Sequence, residues 1–281
     1  MTDHADAAGI AADAGRLLLE IRDGLGAAGA DADAVRREGD QRAHDLIVRA
    51  LADRHPADAV VSEEGAGPVA GAGPGRVWIV DPLDGTREFG EPGRPDWAVH
   101  VALVVGHAPR AGAVALPARG MVLATAPAGG GRGAVVRALS GRARRPADAW
   151  SLPPRPPGLP VRLVVSRSRP PALVGELARR LGAELVPLGS AGAKAMAVVL
   201  GEADAYVHAG GQHEWDSAAP VAVAVAAGLH ACRLDGSPLR YGRPGAELPD
   251  LVVCRPELAG AVLGALAGLA APVASPADER G

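Results

Sequence analysis

From residue 161 onward the chain alternates short apolar runs with runs of helical period, and no other pattern limits the available folds as much. Val161 to Val165, Glu184 to Leu188 and Ala203 to Val207 have the length and β-branched content of strands. Pro171 to Leu181, Ala191 to Leu200 and the Ala- and Val-rich Trp215 to Ala227 have that of helices, and Glu257 to Leu269 is predicted to close the chain as another. Strands separated by helices are buried most simply as a sheet with helices on its faces, so an α/β (α+β) architecture is expected. Upstream, Ile10, Leu17, Leu18 and Ile21 mark one helix between Ala8 and Leu25, and Ala43, Leu46, Ile47, Ala50 and Leu51 mark a second. Gly26 to Gly39, small residues and charges without a period, is expected to be a surface loop. Ala59 to Val61, Val77 to Val80 and Ala98 to Val105 are strand-like. The Pro-rich stretch Ser151 to Pro157 divides the chain into an N-terminal part, residues 1–150, and a C-terminal part, residues 158–281. Gly129 to Gly133 is a second break; it lacks the Lys-Ser/Thr of a P-loop and is expected to be a hairpin or surface turn.

Hydrophobic residues make up 48% of the chain but aromatic ones only 2%, so the core must be built from Ala, Val and Leu. A net charge of -3 offers no Lys/Arg excess to neutralise a nucleic-acid backbone, which excludes nucleic acid as the main partner. No apolar run approaches the ~20 residues of a membrane span, and the N-terminus carries Asp3 and Asp6 where an export signal would be basic, so no membrane partner is expected. Cys232 and Cys254 show no CxxC spacing and are expected to be buried small hydrophobes in a cytoplasmic protein.

Three acidic groups stand where chemistry is usually delivered. Ser62-Glu63-Glu64 follows one predicted strand, Asp81-Pro82-Leu83-Asp84-Gly85-Thr86 follows another, and Trp215-Asp216 opens a predicted helix. Taken singly, a Glu-Glu pair is usually solvated and a Trp-Asp pair is usually packing plus a helix cap. The DPxDGT arrangement is rarer: the proline fixes φ and a tight turn would aim Asp81 and Asp84 at one spot. Carboxylates so crowded repel unless a cation neutralises them, and oxygen-only donors favour Mg²⁺ or Mn²⁺ over zinc. His208 and His213 lack a third partner and are expected in polar packing or pocket lining. Lys194, in an Ala-rich helix, is either a helix-face lysine or a substrate contact.

Ser62 to Glu64, Trp78 to Phe89 and Glu214 to Ala219 together resemble the signatures of the inositol monophosphatase-like superfamily of metal-dependent, lithium-sensitive phosphatases. Arg87-Glu88-Phe89, Ser166-Arg167-Ser168, Gly189-Ser190 and Lys194 are most similar to its CysQ-type 3'(2'),5'-bisphosphate nucleotidases. The resemblance runs from the helix after Asp40 to Pro256 and implies a layered α-β-α-β-α sandwich of the sugar phosphatase type, with metals and phosphate bound between its two parts. It also implies two or three Mg²⁺ ions, replaceable by Mn²⁺. Glu63, Asp81 and the Leu83 carbonyl would hold one metal, and Asp81, Asp84 and Asp216 another. Asp40, Thr86 and Glu63 would be catalytic, Thr86 and Asp40 as the pair that orients and deprotonates the attacking water. Gly85, Thr86, Ser166, Arg167, Ser168, Ser190, Lys194 and Asp216 would contact substrate.

The implied partner is a small phosphorylated molecule, and a homodimer is compatible with the family. Adenosine 3',5'-bisphosphate, a by-product of sulfate assimilation, is the favoured substrate, yielding AMP and phosphate. Inositol monophosphate and fructose 1,6-bisphosphate remain open because the same metal machinery serves them. A catalytically silent, nucleotide-sensing member also remains open, although a sensor has no need of the Asp40 and Thr86 pair. Two positions depart from the family: Val35 to Gly39 replaces a Ser-Pro-Val-Thr-like segment, and Arg169 stands where related nucleotidases often carry His. That Arg is either a phosphate contact or a surface charge.

Overall fold

Seven α-helices and eleven strands occupy the residues that the computed structural model of the chain describes, 2–65, 75–128, 131–140, 150–242 and 247–269. Helices α1 (Asp3–Ala27) and α2 (Ala32–Arg54) precede strands β1 (Ala59–Ser62) and β2 (Arg76–Asp84), the short helix α3 (Thr86–Gly90), and strands β3 (Ala98–Val105), β4 (Ala108–Leu116), β5 (Met121–Ala128) and β6 (Gly131–Ala138). These six strands form one sheet in chain order, parallel between β1 and β2 and antiparallel elsewhere. Ala128 pairs with Gly131, so Gly131 to Gly133 of the predicted turn are strand residues of β6, and Gly129 and Gly130 lie outside the described residues.

After residues 150–161, which form neither helix nor strand, come β7 (Arg162–Ser166), α4 (Ala172–Leu181), β8 (Glu184–Leu188), α5 (Ala191–Val199), β9 (Ala205–His213), α6 (Glu214–Ala226), β10 (His230–Cys232), β11 (Glu247–Cys254) and α7 (Ala259–Ala267). The second sheet has the order β10-β11-β9-β7-β8. The predicted closing helix begins as a 3₁₀ turn at Pro256–Leu258, and β9 runs six residues beyond the predicted strand end, to His213.

The layering follows from side-chain alternation. In β3, Val99, Val101 and Leu103 join the core beneath α1 and α2, whereas Ala98, Ala102 and Val104 join the core shared with α5, α6 and the second sheet. In β7, Val164 faces that shared core, and Leu163 and Val165 face α4 and α7. Both sheets are thus covered on both faces, which gives the α-β-α-β-α sandwich. Small side chains let the layers approach: a Cβ at Gly112 of β4 would fall 2.6 Å from the Ala222 Cβ of α6.

The expected loop at Gly26 to Gly39 is corrected by this structure. Only residues 28–31 separate the helices, and Asp31 caps α2 by accepting the Ala34 amide at 2.7 Å. The buried stripe of α2 runs Val35, Gly39, Ala43, Ile47, Leu51; its first turns hold a glycine where a helical pattern would show a large apolar residue. Gly39 is there for clearance, since a Cβ would lie 2.7 Å from Phe89 Cε1 and 3.2 Å from Leu83 Cδ2. Asp40 therefore sits within α2, one residue beyond this close approach. Gly39→Val is expected to lower stability by about 1–3 kcal/mol through overpacking. A thermal midpoint equal to wild type would contradict this close approach.

Candidate active site

Strand β2 does not end in the expected tight turn at Asp81. It stays paired with β3 through Asp84, and the register shifts between Asp81 and Asp84, a bulge that re-aims the side chains of the strand end. The Asp81 carboxylate accepts the Leu83 amide at 3.1 Å. Gly85 then turns the chain with φ +87°, passing so close to the second half of the molecule that a Cβ would lie 3.1 Å from Ser190 Cβ. Asp84 is held by the start of α5: it accepts the Ser190 hydroxyl at 2.5 Å, the Gly192 amide at 2.6 Å and the Ala191 amide at 3.1 Å. Asp216 arrives from α6, where it accepts the His213 amide at 2.7 Å. One carboxylate oxygen from each of Asp81, Asp84 and Asp216 lies within 4.8 Å of the other two.

Electrostatics make this cluster a poor resting place for anions alone. Burial, then the charges of Asp84, Glu63 and Asp216, push Asp81 well above the usual carboxylate range. Burial, then Asp216 and Asp84, push Glu63 up to about 7. Asp216 is raised by burial and by Asp84. Burial acts in the same direction on Asp84, but His100, Lys194 and Ser190 together outweigh it and hold that carboxyl well below the ordinary value. Asp40 is pushed up to about 7 by burial, then by Glu64 and Glu63. Three converging carboxylates with oxygen donors only and mutual repulsion fit a hard divalent cation.

A family profile described as the inositol monophosphatase family matches residues 5–267. The chain belongs to the inositol monophosphatase family. It is 47% identical over 262 residues to the 3'-phosphoadenosine 5'-phosphate phosphatase of Mycobacterium tuberculosis, covering 91% of this chain and 90% of that one. It is 31% identical over 210 residues to the 3'(2'),5'-bisphosphate nucleotidase CysQ of Escherichia coli, covering 72% and 77% of the two chains. Among solved structures, CysQ from Bacteroides thetaiotaomicron superposes with a TM-score of 0.75 at 27% identity over 90% of this chain and 97% of that one.

In this inositol monophosphatase family member a cavity of about 520 Å³ opens over the three aspartates. Glu63, Leu83, Gly85, Thr86, Ser190 and Lys194 line it, as do Ser166 and Ser168 from the end of β7 and Arg169 beyond them. The Thr86 hydroxyl donates to the Leu83 carbonyl at 3.1 Å and not to Asp40. Lys194 is buried, its Nζ donating to the Gly189 and Ser190 carbonyls at 2.6 and 2.8 Å and lying 5.4 Å from the Tyr206 ring centroid.

Arg167, expected to face substrate, does not line the cavity. Its guanidinium bonds Glu88 at 2.7 Å and Glu91 at 2.9 Å, a cross-link between α3 and the end of β7. Arg169 has no carboxylate partner among the described residues. His208 lines the cavity and bonds the Gly210 carbonyl at 2.9 Å, while His213 stacks on Trp215. Both cysteines are buried and free. His100 is absent from the sequence motifs, although a lone histidine within the apolar run Ala98 to Val105 was a visible signal. Among the described residues, no helix is long and apolar enough to cross a membrane.

Proposed function

We propose that this chain is a Mg²⁺- or Mn²⁺-dependent phosphomonoesterase that removes the 3'-phosphate of adenosine 3',5'-bisphosphate, leaving AMP and inorganic phosphate. The observation that carries this reading is the convergence of Asp81 and Asp84 from β2 with Asp216 from α6 at the floor of one cavity. The names of the relatives at 47% and 31% identity support the substrate. Glu63, Asp81, the Leu83 carbonyl, Asp84 and Asp216 would hold the cations, which when bound lower the pKa of water and neutralise phosphoryl oxygens.

The rest falls to the chain's own side chains. Asp40, at about 7, is matched to accept a proton from the attacking water near neutral pH. The Thr86 hydroxyl, its proton committed to the Leu83 carbonyl, offers lone pairs to orient that water. An ammonium has three donors and Lys194 spends two on carbonyls, so one remains for an anion in the cavity. Lys194 and Arg169 take the role of anchoring the phosphate that is not attacked, and Arg167, consumed by Glu88 and Glu91, does not. An inositol monophosphate has no second phosphate and leaves such an anchor unpaired.

Phosphate release from purified protein with Mg²⁺ tests this. Adenosine 3',5'-bisphosphate is expected to exceed inositol phosphate and fructose 1,6-bisphosphate in kcat/KM, and a reversed order overturns the substrate assignment. Lys194→Met is expected to narrow the gap between adenosine bisphosphate and inositol phosphate by ~10-fold or more, the worth of a charged hydrogen bond. Arg167→Ala is expected to lower both substrates by a common factor, because it strands the buried Glu88 without touching substrate.

A further inference from the structure

His100 is fully buried in β3, opposite Asp81 in the β2–β3 register. Its Nδ1 donates to the Trp215 carbonyl at 3.0 Å, which fixes a proton on that nitrogen because a carbonyl only accepts. Its Nε2 lies 3.2 Å from an Asp84 oxygen but off the line of a hydrogen bond, and has no hydrogen-bond partner among the described residues. Gly192 makes the room, since a Cβ there would fall 2.0 Å from Nε2. One ring therefore touches β2 through Asp84, α5 through Gly192, and α6 through Trp215, the residue before Asp216.

Packing alone gives a poor account of this residue. An aliphatic side chain of similar volume would fill the same space but could neither donate to the Trp215 carbonyl nor stand against the Asp84 carboxylate. What the imidazole supplies is a rigid spacer of fixed length between the backbone that carries Asp216 and the carboxylate of Asp84. Groups that orient metal ligands from outside change metal affinity by about 10–100-fold when removed.

We propose that His100 is a positioning residue of the cation site, holding Asp84 and the first turn of α6 at the separation that lets Asp84 and Asp216 ligate one ion. The inference rests on the metal-site reading above and not on the identity of the substrate.

Calorimetric titration of metal-stripped, full-length protein with Mn²⁺ and with Mg²⁺ tests it. His100→Ala is expected to weaken Mn²⁺ binding by about 10-fold or more. His100→Asn, which keeps a donor for the Trp215 carbonyl, is expected to recover part of the loss. KM for adenosine bisphosphate at saturating metal is expected to stay at its wild-type value in both. A folded His100→Ala protein that binds Mn²⁺ as tightly as wild type overturns the proposal. If the alanine variant does not fold, His100→Asn and His100→Gln decide: wild-type affinity in both overturns it, and weakened affinity in His100→Gln with partial recovery in His100→Asn supports it. Wild-type protein that binds neither cation overturns the metal-site reading and this inference with it, whereas an unexpected substrate order leaves both standing.

Discussion

Asp81→Asn is expected to reduce phosphate release by ~10³-fold or more, the scale of several kcal/mol of transition-state stabilisation by metal, while making the metal-free protein more stable. The two effects have one cause. Asp81 is buried among Glu63, Asp84 and Asp216, and its carboxyl is held well above the usual range by burial and then by those charges. Asn has nearly the same shape, can keep the bond from the Leu83 amide, and has no charge to bury. The direction with pH follows from linkage. A carboxyl whose folded pKa exceeds its unfolded value holds its proton in the folded state, so stability is lost as pH rises above the unfolded value of about 4. The advantage of Asn is therefore absent near that pH and grows toward neutrality. Excess Mg²⁺ should reverse the order, because only wild type gains strongly from binding. Thermal scans in chelator at acidic and neutral pH, repeated with Mg²⁺, check this. A variant less stable than wild type in neutral chelator would show that the cluster is not electrostatically strained.

The acidic motif at the end of β2 is legible because its residues are neighbours in the sequence. Asp81, Leu83, Asp84, Gly85 and Thr86 are delivered by one strand end, so spacing sufficed to group them, although the bulge that aims them belongs to pairing with β3 and leaves no local signature. Asp216 was open to two readings, helix cap or metal ligand, and the structure shows it capping α6 and standing in the aspartate cluster at once. Strands β4 to β6 carry no strand signal of their own in the sequence. Their Ala, Gly and Pro content is poor in β preference, and their neighbours in the sheet make them strands. The start of α2 leaves little trace in the sequence because Val35 is the only large apolar residue on its buried stripe before Ile47, with Gly39 in a position that usually carries another. The resemblance places Arg167 against substrate by motif position alone. Its capture by Glu88 and Glu91 depends on α3 packing against the end of β7, a contact between residues 76 and 79 positions apart in the chain. His100 belongs to the same class: its partners Asp84, Gly192 and Trp215 meet only after both sheets are assembled.

Cation affinity is expected to rise as pH climbs toward about 7, with protons expelled as the metal enters. In the metal-free protein burial and then the charges of Asp84, Glu63 and Asp216 push Asp81 well above the usual carboxylate range, and Glu63, pushed up to about 7 by burial and then by Asp216 and Asp84, retains part of a proton near neutrality. In the proposed site a divalent cation requires both as carboxylates. Each proton released makes affinity change by about tenfold per pH unit, so Glu63 alone should contribute close to one such step below about pH 7, and any proton released by Asp81 adds to it. Asp40 is coupled to the same event, because the charges of Glu64 and Glu63 help hold it at about 7. Cation binding at Glu63 offsets part of that repulsion and lowers Asp40, making it a competent base at lower pH. The acid limb of the rate profile should therefore sit below about pH 7 at saturating Mg²⁺ and move upward when metal is limiting. Calorimetry in two buffers of different ionisation enthalpy counts the protons, and rate profiles at two Mg²⁺ concentrations locate the limb. Binding without proton release, at an affinity independent of pH, would mean that the carboxylates are already ionised before the cation arrives, and the electrostatic basis for the site would fail.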